Sequence, residues 1–117
     1  MTNVQTVQAF WRAIAARDVD AYLDTFAADA VAHDPANGPA LDSREARREF
    51  MENLLAGFDE IETTIDFVTP CGDRLTAAKW TVRGTSQEGQ PIHLEGIDTY
   101  EHDRDGKLVA MKGYFEA

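Results

Sequence analysis

Two aspartates carry the chemistry that this sequence offers. Asp34 lies in the stretch VAHDPANG, Val31 to Gly38, where the short apolar run Ala30-Val31-Ala32 ends in His33-Asp34 and Pro35 bars continuation as helix. An aspartate before proline is a common turn opener, because its carboxylate bonds backbone N–H groups just ahead. The same placement holds a carboxylate at a strand end, partly solvated and ionised, where it can accept a proton. Asp98 belongs to the run GIDTYEHDRDGK. Strand alternation puts it on one face with Ile92, Leu94, Gly96 and Tyr100, opposite His93, Glu95, Thr99 and Glu101. A carboxylate on such an apolar face must be paired, hydrated or protonated, since burying an unpaired charge is prohibitively costly. Burial raises its pKa, and the neutral acid can then donate a hydrogen bond to a carbonyl oxygen that gains negative charge. Two carboxyls whose pKa values are pushed apart divide the acid and base roles between them. The structural alternative binds Asp98 to a tyrosine hydroxyl or a backbone N–H and leaves Asp34 in a turn.

Little else in the chain competes. His33 alternates away from Asp34 toward helix packing, and His93 and His102 fall on the outward side or near a turn, so no metal triad is formed. Cys71 is the only cysteine, which excludes an internal disulfide and a thiolate zinc site and makes the cytoplasm the default compartment. Arg44, Arg47 and Arg48 form one basic cluster, read as a solvated helix face.

The elements that must position the aspartates follow from periodicity. Val4, Val7, Phe10, Trp11, Ile14 and Ala15 recur at spacings of three and four and predict an amphipathic helix capped by Thr2 or Asn3. Asp18 caps a second, short helix that turns Val19, Tyr22, Leu23 and Phe26 inward. A short strand, Ala30–His33, precedes the loop DPANGPALD. Ser43 caps a third helix whose apolar stripe is Ala46, Phe50, Leu54 and either Leu55 or Phe58, with Gly57 at its end. Thereafter Thr, Val and Ile dominate, punctuated by the turns PCGD, SQEGQ and DRDGK. Four long strands are expected, about 61–69, 74–85, 91–102 and 107–116, joined by hairpins into one antiparallel sheet.

This order, helices first and strands after, is an α+β pattern. A curved sheet with one face covered by three helices leaves a cone-shaped cavity. Ala78, Trp80 and Val82 share its inward face, as do Val109, Met111, Gly113 and Phe115. Phe10, Phe26, Phe50, Leu54, Trp80, Val82, Tyr100, Met111 and Phe115 are the expected lining, suited to an apolar ring system bearing a carbonyl or hydroxyl near Asp98. Trp11 is expected beneath the sheet.

The 117 residues are read as one domain, 1–117, with 44% hydrophobic and 27% charged residues, the balance of a soluble globular protein. Eleven basic residues against twenty-one acidic ones leave a net charge of −10, which repels phosphate backbones and anionic headgroups. Nucleic-acid and membrane-surface roles are excluded on that ground. No apolar run approaches the ~20 residues of a membrane span, and MTNVQTVQAF lacks the layout of a secretory signal.

The segments DVDAYLDTFAADAVAHDP, REFMENL and GIDTYEHDRDGKLVAMKGYF resemble the ketosteroid isomerase and SnoaL-like polyketide cyclase branch of the nuclear transport factor 2-like superfamily. The resemblance runs from about Val7 to Phe115. It implies a curved antiparallel sheet wrapped by three helices (a cystatin-like roll), an apolar cone-shaped pocket, a homodimer and chemistry without a cofactor. By this resemblance Asp34 falls on the isomerase's general base and Asp98 on the acid of its oxyanion hole. The isomerase's first-helix tyrosine is replaced by Phe10 and its third-helix tyrosine by Met51, while both carboxyls remain. The expected function is proton transfer next to the carbonyl of a hydrophobic small molecule, by double-bond isomerisation or aldol-type cyclisation. The alternatives are water activation at an epoxide and a ligand-binding or dimerisation module without catalysis.

Overall fold

Residues 1–116 are described by the computed structural model. Thr2 caps helix α1 (Asn3–Ala15) with a reciprocal capping box to Gln5, and α1 buries Val7, Phe10, Trp11 and Ile14. Asp18 caps α2 (Val19–Leu23) by accepting from the Ala21 backbone N–H. The second helix is shorter than expected. It stops before Phe26, which instead opens strand β1 (Phe26–His33) and pairs with Leu108. Ser43 caps α3 (Arg44–Ala56), and Gly57 ends it.

The remaining strands are β2 (Phe58–Cys71), β3 (Leu75–Ser86), β4 (Pro91–His102) and β5 (Leu108–Tyr114). They form an antiparallel meander, as the turn spacing predicts, with Gly72, Gly89 and Gly106 supplying the positive φ at the hairpins. The sheet order is β1-β5-β4-β3-β2. β1 lies beside β5 in parallel, which the hairpin pattern alone does not disclose. Helix α1 packs across the sheet, and among the described residues nineteen buried apolar side chains of helices and strands make one core. The architecture is therefore α+β, a curved open sheet wrapped by three helices. Among the described residues no helix is long and apolar enough to cross a membrane.

Three expectations change on folding. The buried stripe of α3 is Arg47, Met51 and Leu55, so that of the predicted stripe Leu55 is buried while Phe50 and Leu54 pack at its flank. Arg47 is thus not a solvated residue of a basic face. It is 1% exposed, its Nη1 donates to the carbonyls of Ala30 (2.6 Å) and Leu41 (3.3 Å), and its guanidinium sits 4.9 Å above the Phe26 ring. Arg44 and Arg48 do remain outside, paired with Asp24 and Asp20. His102 is buried, not outward, because it stands two places beyond Tyr100 and strand alternation carries it to the face of Asp98 and Tyr100. Its ring then bridges Thr76 and the Gly106 carbonyl.

Candidate active site

Asp34 follows the last residue of β1, and the parallel pairing of His33 with Lys112 carries it to the level of Gly113 on β5. Gly113 in turn pairs with Asp98 on β4. Two strands that run on opposite sides of β5 thereby deliver both carboxyls to one spot. A Cβ placed on Gly113 would meet Asp34 Oδ1 at 2.5 Å and Asp98 Oδ1 at 3.1 Å. The peptide bond between Asp34 and Pro35 is cis, and the chain leaves the site through Ala36, whose N–H donates to the Gly113 carbonyl.

Asp98 is 2% exposed and fully engaged. Trp80 Nε1 donates to its Oδ1 at 2.8 Å, and the Tyr100 hydroxyl donates to its Oδ2 at 2.9 Å. Trp11 Nε1 donates to that hydroxyl at 3.0 Å. Trp11 is therefore part of the site rather than packing beneath the sheet, and its indole leans on that of Trp80 with centroids 5.1 Å apart. The sequence signal for it was its place next to Phe10 on the apolar stripe of α1. Trp80 reaches Asp98 because it pairs with Gly96, over which its indole lies.

Burial pushes the Asp98 carboxyl up to about 8, with the charge of Asp34 adding to the effect and the two hydrogen bonds opposing it. Burial also pushes Asp34 up to about 7. This corrects the expectation of an ordinarily ionised Asp34 and leaves its partial exposure as expected. The residue is half-buried, but its carboxyl is directed inward and no cation stands beside it. Tyr100 is raised well above the usual phenol range by burial and by Asp98.

The two carboxyls face an apolar cavity of about 70 Å³, walled chiefly by Phe10, Trp11, Met51, Phe58, Trp80 and Val82. Leu54, Ile61, Leu94 and Phe115 are partly exposed around it. Of the lining predicted from sequence, Phe10, Leu54, Trp80, Val82 and Phe115 reach the cavity. Phe26, Tyr100 and Met111 are buried behind its wall, and Phe50 packs on the core from α3 without reaching it. Ile14 and Leu94, which period placed on inward faces, and Phe58 line it as well, while Met51 and Ile61 are wall residues that period alone did not single out. His33 is held away from the site by its Nδ1 contact with the Gly38 carbonyl. Among the described residues no three of His, Cys, Asp and Glu lie together as metal ligands would.

The curved five-stranded sheet and its three helices match the cone fold of the nuclear transport factor 2-like superfamily. Within it the chain belongs to the SnoaL-like domain family, whose model matches residues 7–111. Its backbone is similar to that of SalBIII, an epoxide hydrolase/cyclase-like enzyme with a role in pyran ring formation in polyether salinomycin. There the TM-score is 0.87 at 18% identity, over 97% of this chain and 90% of that one. It is also similar to RV0760c from Mycobacterium tuberculosis in complex with estradiol-17beta-hemisuccinate, with a TM-score of 0.87 at 22% identity over 99% and 95% of the two chains. A computationally designed 17-OHP binder superposes with a TM-score of 0.86 at 20% identity, over 99% of this chain and 95% of that one. No curated protein matches the chain by sequence.

Proposed function

We propose that the protein is a cofactor-independent acid–base enzyme acting on a hydrophobic carbonyl compound, with Asp34 as general base and protonated Asp98 as oxyanion donor. The observation that carries this reading is the convergence of two buried carboxyls, raised to about 7 and about 8, on one apolar cavity without a neutralising cation. In the working state Asp34 is ionised and Asp98 is not. Asp34 takes a proton from the carbon beside the carbonyl. The C–H electron pair becomes a carbon–carbon double bond, and the carbonyl π pair moves to oxygen, where the Asp98 O–H holds the charge. Return of the proton at the far end of the dienolate completes a double-bond shift and regenerates both aspartates. Attack of an enolate on a second carbonyl, followed by protonation of the alkoxide, would complete a cyclisation instead.

The cavity is smaller than the roughly 300–1,000 Å³ of typical ligand sites. A ring system enters by displacing the half-exposed side chains of Leu54, Ile61, Leu94 and Phe115. The test is therefore the isomerisation of β,γ-unsaturated ketones of graded size, up to a 3-ketosteroid, followed by ultraviolet absorbance for wild type and Asp34→Asn. Turnover that falls by about 10²–10⁴-fold in the variant supports the reading. A folded wild type inert toward the whole series overturns the isomerase form of it.

Epoxide opening is the second reading, favoured by the convergence of the carboxyls and by the likeness to SalBIII. Asp98 would protonate the epoxide oxygen while Asp34 takes the proton of the attacking water or hydroxyl. The likeness to RV0760c with its bound steroid ester and to the 17-OHP binder supports a hydrophobic ligand and leaves room for a binding module without turnover.

We read the protein as a homodimer. Phe67, Leu75, Ile97 and Tyr114 are about half exposed on the outer face of the sheet, beside a groove of about 440 Å³, and a second copy of the same face would cover them. The exposed, unpaired Cys71 supports a reducing compartment such as the cytoplasm.

A further inference from the structure

The inward face of the sheet carries two glycines side by side with the chemistry, and each leaves a place that another residue uses. Gly96 on β4 gives its space to the Trp80 indole. Gly113 on β5 lies between Asp98, its partner across the strand pair, and Asp34, which arrives from β1. The position of its missing Cβ is within 2.5 Å of Asp34 Oδ1 and 3.1 Å of Asp98 Oδ1. Real Cβ atoms do not tolerate the shorter of these contacts, so any side chain at 113 would force the carboxyls apart.

The hydrogen bonds say which oxygen of Asp98 faces that point. An indole N–H can only donate, so the Tyr100 oxygen accepts from Trp11 and its single proton goes to Asp98 Oδ2. A proton on Oδ2 would leave the buried tyrosine proton without an acceptor, at a cost of about 1–3 kcal/mol. The acid proton therefore resides on Oδ1, the oxygen turned to Gly113 and Asp34, which also accepts from Trp80. We propose that Gly113 is a positioning residue that couples the two carboxyls: its empty side-chain position lets Asp34 Oδ1 and Asp98 Oδ1 converge, so that the pair holds one proton between them.

Few other groups compete for that proton. Tyr22 on α2 and Tyr100 on β4 are the remaining titratable groups that reach the pair, both buried and both held protonated, with Arg47 on α3 beyond Tyr22. The α1, β2 and β3 walls contribute Phe10, Trp11, Ile14, Phe58, Ile61, Trp80 and Val82, none of which titrates. His33 on β1 is turned to Gly38, and Lys112 on β5 is exposed on the opposite face. The raised carboxyl of Asp98, to which the charge of Asp34 contributes, agrees with the coupling. Its catalytic consequence rests on the acid–base reading above. The coupling itself does not.

The experiment follows the carboxyl signals of Asp34 and Asp98 by carbon-13 NMR against pH in wild type, Asp34→Asn and Gly113→Ala. Asp34→Asn adds no bulk. It is expected to lower the Asp98 midpoint by about one unit or more, the size that marks an interacting pair. In Gly113→Ala the Asp34 carboxyl, at the end of a side chain, swings aside, and the two midpoints draw together. An Asp98 midpoint unmoved by Asp34→Asn overturns the proposal, as does a folded Gly113→Ala with its midpoints as far apart as in wild type. If Gly113→Ala does not fold, the Asp34→Asn arm decides. Intact coupling in a protein without turnover would retire the enzyme reading and leave the coupling standing. In an active protein, Gly113→Ala is expected to lower kcat more than it raises KM.

Discussion

Asp34 and Asp98 differ in what surrounds them more than in what they are. Both are carboxyls raised by burial, but Asp98 also has two donors that favour its anion and a neighbouring negative charge that opposes it. The working form, one ionised and one protonated, is the monoanion of the pair. Its population rises as pH passes about 7 and falls as pH passes about 8. The expected kcat/KM profile is therefore a bell with its maximum between those values, and a profile rising without a fall up to pH 10 would remove Asp98 as donor. The same shifts act on stability with the opposite benefit. Both folded-state values lie above the ordinary 3.8, so between about pH 4 and 8 the native state binds more protons than the unfolded one. Stability must then fall as pH rises through that window. Asp34→Asn removes part of the fall, so the variant should melt above wild type at pH 8, with the gap closing toward pH 4. Melting scans at the two pH values check this, and an inactive variant that is also more stable would mark Asp34 as kept for function.

At the scale of elements, β1 and α3 hold the site from one side. β1 is an edge strand, and its route into Asp34 is held by its parallel pairing with β5, by the Ala32–Leu41 bridge and by Arg47. Burial lowers the Arg47 pKa, and its Nε finds no partner, yet its Nη1 donates to the Ala30 and Leu41 carbonyls, the second of which also accepts from the Ala32 N–H. Arg47→Ala removes the buried hydrogen bonds to those carbonyls and opens a hole beside Phe26. A loss of about 3 kcal/mol in urea unfolding is expected, against within about 0.5 kcal/mol for Arg44→Ala, whose ion pair with Asp24 is exposed. Equal effects of the two would contradict the buried role. The apolar stripe of α3 leaves this residue out because an arginine counts as polar in any periodicity, while its stem and planar head can be packed once carbonyls are supplied.

For the whole molecule, the sheet separates two surfaces. Its concave face holds the cavity and its outer face carries the exposed Phe67, Leu75, Ile97 and Tyr114, along with an ion-pair network in which Lys79 bridges Asp66 and Glu95. If a second copy covers the outer face, Ile97→Lys should convert a dimer into a monomer in light scattering behind size exclusion, with the cavity and its titration unchanged. A monomeric wild type at high concentration would refute the dimer.

The sequence by itself determined the element types, three helix caps, the meander of four long strands and the placing of Asp98 among apolar residues. All of these are local quantities, read from periods of 3.6 and 2 and from turn chemistry within a few residues. The identity of the family was legible as a resemblance, and a family model covering 7–111 bears it out. Tertiary structure alone decided that β1 lies parallel to β5, and hence that Asp34 and Asp98, sixty-four positions apart, meet over a glycine. It also decided that Trp11 joins the site, that the Trp80 indole is turned to Asp98, that Arg47 goes inside, and that Tyr100 is spent on Asp98 rather than on a ligand. The reason is the same each time. Strand registry across a sheet and the partners of a buried polar group are set by non-local contacts, and those have no period in the chain.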